Sequence, residues 1–585
     1  MTRFSQLLSL GLALIGLAAC GAAPEPAPPP ATRSAAPHEE LTRIVERYWN
    51  EKSRSDDDLG SAISPQFLAD SLAMERDYLA ELLTVPRASL TGESKLTYDM
   101  FKRGREVKIE GFIYPAELMP VNGFTDMPQR FARLGAGMGQ QPFSSAEDYE
   151  NWLERIADFA VWTNQAIANM RDGMRRGYTL PRVVVERALP ILAGLAADTP
   201  ANPFYRPLRS MPGSIPDSER SRIESRLGAA IKDKVLPSYR ALHDFLQGEY
   251  LPRARDSVAW SVLPLGEAWY AYLVREETGT ALTPAEIHRM GLAEVERIHG
   301  RLQSLLAEIP FPGNAQSYLD LLRGDPRYAY KSPEELLGAL NDLKSKVTAA
   351  SPALFGAVPQ SDVEIRAVAG AGTAWPLLSY RPAALRPKSA ALLDVDTDAF
   401  AAYSAGAVES MFLQEAVPGQ HYQLALQQER TDLPMFRRFG NLPAFAQGWN
   451  LYAASLGDEL GLNRDSEAKF ESLLGQLRCA LGLVIDTGLH SKGWTRRQAL
   501  DYLHAQMPID DAAAEAAVDR DIALPGEALA GEIGALKIQA LRARAQQSQG
   551  ARFDIRSFHA QLLKDGAMPL DMLDAKVQLW IDAPP

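Results

Sequence analysis

Residues Gln414 to Gln423 read Q-E-A-V-P-G-Q-H-Y-Q. A helix-spaced run, Ala401 to Leu413, leads into them, and another, Leu424 to Arg430, leads out. At roughly 100° per residue, a position seven further along returns to almost the same face, so a continuous helix sets His421 beneath Gln414. Pro418 has no N–H to give and Gly419 is a poor helix former, so a bulge or kink is expected at that pair. The same helical patterning covers most of the chain, and the expected fold class is mainly α.

A Glu at the second position of such a segment, with a His returning to its face, nearly matches a zinc-hydrolase helix. Here the residue that should open the pattern is Gln414. About thirty residues later Gln447 to Ala454 read Q-G-W-N-L-Y-A-A. Together the two segments resemble the domain-of-unknown-function 885 family, largely helical bacterial proteins that look like zinc metallopeptidases. Its members typically carry H-E-x-x-P-G-H-H-x-Q and then E-G-W-A-L-Y-x-E. Glu415, Pro418, Gly419, His421, Gln423, Gly448, Trp449, Leu451 and Tyr452 match that frame. The presumed ligand positions do not: His, His and Glu are replaced by Gln414, Gln420 and Gln447, and the closing acid by Ala454.

Further blocks extend the resemblance. Arg478 to Trp494 keeps Asp486, His490 and Trp494 of a family segment. Asp519 to Gly534 resembles D-R-Y-x-x-x-P-G-Q-A-L-S-Y-K-x-G, keeping Arg520, Pro525 and Gly526 but placing Glu527 for Gln, Gly531 for Tyr and Glu532 for Lys. Pro142 to Pro181, Leu263 to Tyr270, Leu282 to Gly291 and Phe558 to Leu570 also fit. The resemblance implies a large helical zincin-like body with a deep cleft and a small antiparallel β-sheet, as one peptidase-like domain over 39–585.

A catalytic zinc takes three protein ligands and leaves a position for water, whose pKa it lowers towards about 7. Imidazole and carboxylate suit this ion, whereas a carboxamide oxygen is a poor donor to it. With glutamine at all three presumed positions, no bound zinc and no other cofactor is expected. His421 remains a surviving ligand if it, and not position 420, is the family's second one. Glu415 and His421 are the catalytic candidates if activity persists; without metal, Glu415 becomes a polar group of the cleft or a partner for Arg520. Asp486 and His490, four apart on a helix, can pair. With Trp449, Tyr452 and Arg520 they complete the binding candidates.

Composition bounds the rest. The chain has 585 residues, 46% hydrophobic and 23% charged, with a net charge of −12. That balance suits a globular protein and gives no polybasic surface for nucleic acid. Residues 1–20 read as an export signal: Arg3, an apolar core Leu7 to Leu17, then Leu17-Ala18-Ala19-Cys20 in the form of a lipobox. Cys20 is the expected lipidation site, and Gly21 after it fits the periplasmic face of a Gram-negative outer membrane. The Ala- and Pro-rich stretch 21–38 reads as an extended tether. Cys479, in the apolar run Leu477 to Ile485, is expected as a small buried hydrophobe.

Along the body, Ser64-Pro65 and Thr283-Pro284-Ala285-Glu286 are helix starts, and Ser144 or Ser145 caps a helix through Ala160. A further helix should end near Arg176-Gly177. Gly111 to Gly137 reads as a loop over the cleft, and Trp260 to Trp269 as a turn-rich pocket wall. His288 and His299 are expected as packing or surface residues. Short strands are expected at 363–366, 374–381 and 391–395, near 362–396 as a whole.

These readings predict a lipid-anchored envelope protein whose cleft binds a peptide, a cell-wall fragment or a protein partner without hydrolysing it. The alternative is an active envelope metallopeptidase, with zinc in a rearranged site or with metal-free chemistry at Glu415 and His421. A third possibility is a structural protein with a vestigial cleft.

Overall fold

The computed structural model describes residues 36–583, apart from 57–58, 139–140, 326, 369–376, 384–389, 403 and 463–464. The export signal, Cys20 and most of the tether fall outside the described residues, as does the start of the expected strand at 374.

Helices dominate, and their ends follow local chemistry. Ser64 accepts from Phe67 N, with Pro65 opening the helix. Thr283 and Glu286 exchange hydrogen bonds in a capping box that starts the helix Pro284–Glu308. Ser145 and Asp148 do the same for Ala146–Arg176. That helix is continuous where two were expected, because no proline or glycine interrupts it before Gly173. It ends at Gly177, whose φ of 83° needs a residue without Cβ.

The expected loop over 111–137 contains a helix, Met127–Gly135, capped by Asp126. Phe131 drives it into the core, stacked on Trp152 and Phe159. Gly137 still reaches the rim of the wide cleft described below. In the segment from Trp260, a 3-10 turn and Leu265 at φ 56° precede the helix Gly266–Thr278, and Trp260 and Trp269 line a small cavity as expected. His288 is buried against Thr487, a packing role.

The sheet is small but mixed, where an antiparallel one was expected. β1 (Val363–Val368) pairs in parallel with β3 (Ala391–Asp396), and β2 (Leu378–Arg381) lies antiparallel on the other side of β3. β3 is central and almost wholly buried, which accounts for its apolar run. Asp394, in its middle, holds Arg366 of β1 at 2.8 Å and Arg381 of β2 at 2.9 Å.

The apolar helix Ser466–His490 lies at the centre of the C-terminal half. Gly291 lets Pro284–Glu308 approach it closely: a Cβ there would meet Leu483 at 2.8 Å. Pro443–Ala454 and Glu527–Gln549 cross still more tightly. A Cβ on Gly534 would lie 1.8 Å from the Ala444 carbonyl oxygen, and one on Gly448 would lie 2.5 Å from Gly534. Two glycines thus bring the backbones together and fix Gln447 beside Gly531.

Candidate functional site

At Gln414 to Gln423 the predicted kink is a complete break. The helix Ala405–Glu415 ends at Ala416, whose φ and ψ of −110° and −109° leave the helical region, and Gln420–Glu429 starts anew after Gly419. Gly419 is required by space, since a Cβ would stand 2.0 Å from the Gln414 carbonyl oxygen. The break resets the helical phase, so Gln420, and not His421, returns to the face of Gln414.

Gln414, Glu415 and Gln420 line one cavity of about 520 Å³ with Gln447, Asn450, Arg478, Asp521, Glu527, Gly531 and Glu532. Gln420 also lines a wider cleft of about 1470 Å³, whose walls include β1, β2 and the segment around Gly137. The amide of Gln420 therefore stands between the outer cleft and the inner cavity.

His421 is turned out of the cavity. Buried, it meets the Ser361 carbonyl through Nε2 at 3.1 Å and the Tyr380 hydroxyl through Nδ1 at 3.1 Å. Burial holds its pKa down at about 4, so it is a neutral tie between helix and sheet. Trp449 and Tyr452 also face the core. The Trp449 indole N–H donates to the Pro418 carbonyl at 2.8 Å, pinning the helix break, and Tyr452 Oη meets His559 Nε2 at 2.8 Å.

Asp486 and His490 do not pair. Asp486 accepts from the Tyr270 hydroxyl and from Gly526 N, and burial raises its pKa to about 7. His490 Nε2 meets the Asp521 carbonyl at 2.8 Å. Arg520 does reach the cavity, but its partner is Glu527 at 2.8 Å and not Glu415. Cys479, expected in the core, is half-buried at the cavity wall, and its thiol is pushed up to about 12. It is no thiolate nucleophile at neutral pH.

Three carboxyls at the cavity, Glu415, Asp521 and Glu532, have no side-chain hydrogen bond or ion pair among the described residues, and burial holds the pKa of Asp521 well above the usual carboxylate range. Desolvation raises Glu415 to about 7. Glu532 is 6% exposed and rises to about 8, because desolvation and nearby Glu294 outweigh Arg297. Asn450 Oδ1 is likewise buried without a partner. The readable signals for these residues were departures from the family pattern: Glu532 for Lys, Gly531 for Tyr and Asn450 for Ala in E-G-W-A-L-Y. At the motif positions the donor set does not fit zinc, since the three carboxamides of Gln414, Gln420 and Gln447 with one carboxyl, Glu415, are a poor match for that ion. Among the described residues no three or more His, Cys, Asp or Glu side chains group so as to hold a metal.

Fold and cavity define a mainly helical protein with an acid- and amide-lined pocket behind a wide cleft. By its match over residues 46–577 to the model described as "Bacterial protein of unknown function (DUF885)", the chain belongs to that family. The fold is also that of two solved structures. One, described as a "putative lipoprotein" from Colwellia psychrerythraea, is 24% identical with a TM-score of 0.80, over 93% of this chain and 99% of that one. The other, a "putative lipoprotein of unknown function" from Shewanella oneidensis, is 16% identical with a TM-score of 0.67, over 93% and 100%. No curated protein matches the chain.

Proposed function

We propose that this is a lipid-anchored cell-envelope protein of a peptidase-like family, which holds no catalytic metal and uses its cleft to bind peptide-like ligands. The observation that carries this reading is one cavity faced by Gln414, Gln420 and Gln447, with the remaining imidazole, His421, committed to the sheet. Carboxamides donate and accept hydrogen bonds, as peptide groups do, so such a wall suits peptide recognition better than metal ligation. The lipobox ending in Cys20 supports the anchor, and so do the two structural neighbours described as lipoproteins. Outer-membrane attachment on the periplasmic side is part of the same proposal, resting on Gly21.

One observation favours the rival reading. Glu415, unpartnered and at about 7, has the proton affinity of a general base at neutral pH. Metal content and turnover separate the two. The full-length protein, extracted from cells grown with added zinc, should carry well under one zinc per chain and retain peptides from a library unchanged. Near-stoichiometric zinc with chelator-sensitive hydrolysis would overturn the binding reading. Metal-free hydrolysis lost in Glu415→Gln would overturn it equally.

A further inference from the structure

We infer that the inner cavity is a receptor for a primary ammonium group, with the Glu532 carboxylate as counter-ion and the Asn450 and glutamine oxygens as neighbouring acceptors. The inference rests on the binding reading above and adds the chemistry of the ligand.

Glu532 is 94% buried by its 6% exposure, stands on the cavity wall, and has no hydrogen bond or ion pair among the described residues. A carboxyl largely withdrawn from water and without a partner is costly, and the cost is recovered when a donor enters the cavity it faces. Asn450 Oδ1 on the same wall is a second buried acceptor without a donor. An ammonium brings three N–H donors and no acceptor, which is the complement of such a wall.

Two of the nearby cations are engaged elsewhere. Arg297, facing Glu532 from the helix Pro284–Glu308, is bound to Glu294 through its Nε at 2.8 Å. Arg520 holds Glu527. Arg478 stands exposed at the wall, and its field acts on Asp521 and Cys479. The wall carries four carboxyls, Glu415, Asp521, Glu527 and Glu532, and two guanidinium groups; burial raises Glu415, Asp521 and Glu532, so an entering cation, and not an anion, favours their ionised forms. The cavity, about 520 Å³, has the size of small-molecule sites.

The test is calorimetry on the full-length protein in detergent, with probes matched in length: 1,5-diaminopentane, 1,5-pentanediol and glutarate. Nα-acetyl-lysine amide and a short peptide with only its terminal amine free distinguish the side-chain from the terminal source. Amine probes should bind at least about tenfold more tightly than the diol or diacid, and Glu532→Gln should remove most of that preference. Competition among probes on the unmodified protein reads the preference even if the variant folds poorly.

Equal binding of diol and diamine, or an unchanged amine affinity in folded Glu532→Gln, would overturn the inference. So would calcium that binds alone and displaces the diamine. Retention of fully capped peptides with no amine preference sinks only the ammonium assignment and leaves the binding reading standing. Zinc-dependent hydrolysis sinks both.

Discussion

The two sides of the Gln414 to Gln423 motif differ in how their polar atoms are used. On the core side His421, Trp449 and Tyr452 are buried with their polar groups hydrogen-bonded. On the cavity side Glu415 and Glu532 have no hydrogen-bond partner among the described residues, and Asn450 Oδ1 is buried without one. The core side carries mostly residues matching the family frame, and the cavity side carries most of the departures beside Glu415 and Arg520, which match it. Frame residues are held by the backbone they pin, which is indifferent to the chemistry of the cavity.

The contrast can be broken first at the helix crossing. Gly534→Leu puts a side chain into the Ala444 carbonyl and should cost more than about 4 kcal/mol, seen as loss of the cooperative unfolding transition. A mild change in denaturation midpoint would mean that the two helices are not locked together. On the cavity side the sign should reverse. Glu532→Gln should stabilise the protein by on the order of 2 kcal/mol at pH 9, because it removes a buried unpaired charge.

The pH dependence follows from the same group. Glu532 sits at about 8 in the folded state against an ordinary 4.5, so the folded state prefers it protonated. Its contribution is fully present below about 4.5 and is lost as pH rises through about 8. Urea midpoints of the parent and Glu532→Gln, compared from pH 5 to 9, should diverge with rising pH. Parallel curves would show that Glu532 is solvated.

Smaller effects sharpen the comparison. Tyr452→Phe deprives His559 Nε2 of its partner on the core side and should cost about 1 kcal/mol in chemical denaturation. Arg520→Ala, breaking a half-exposed pair at the cavity mouth, should change stability by less than about 1 kcal/mol. A cost for Arg520→Ala equal to that of Tyr452→Phe would erase the distinction between the two sides.

Much of the fold was legible because local chemistry decides it. The caps at Ser64, Ser145 and Thr283 are satisfied within a few residues, and the apolar spacing of the helices is a short-range pattern. The sheet's strands were visible for the same reason, but their pairing was not. The parallel partnership of β1 and β3 joins segments some thirty residues apart, and no local signal carries it.

The site divides in the same way. Gln414, Glu415, Gln420, Gln447 and Arg520 are cavity residues that the motif pointed to. His421, Trp449, Tyr452, Asp486 and His490 bear the same motif signature yet serve packing. Helical reckoning sent His421 to the wrong face because it assumed an unbroken helix, and the break at Pro418 and Gly419 shifts the phase. By itself the sequence determined the helical class, the caps and the amide character of positions 414, 420 and 447, since each is a property of residue chemistry over short range. Only the tertiary structure decided which side chains share a cavity and which carboxyls are left unpaired, since those depend on backbones meeting across long stretches of chain, as at Gly448 and Gly534.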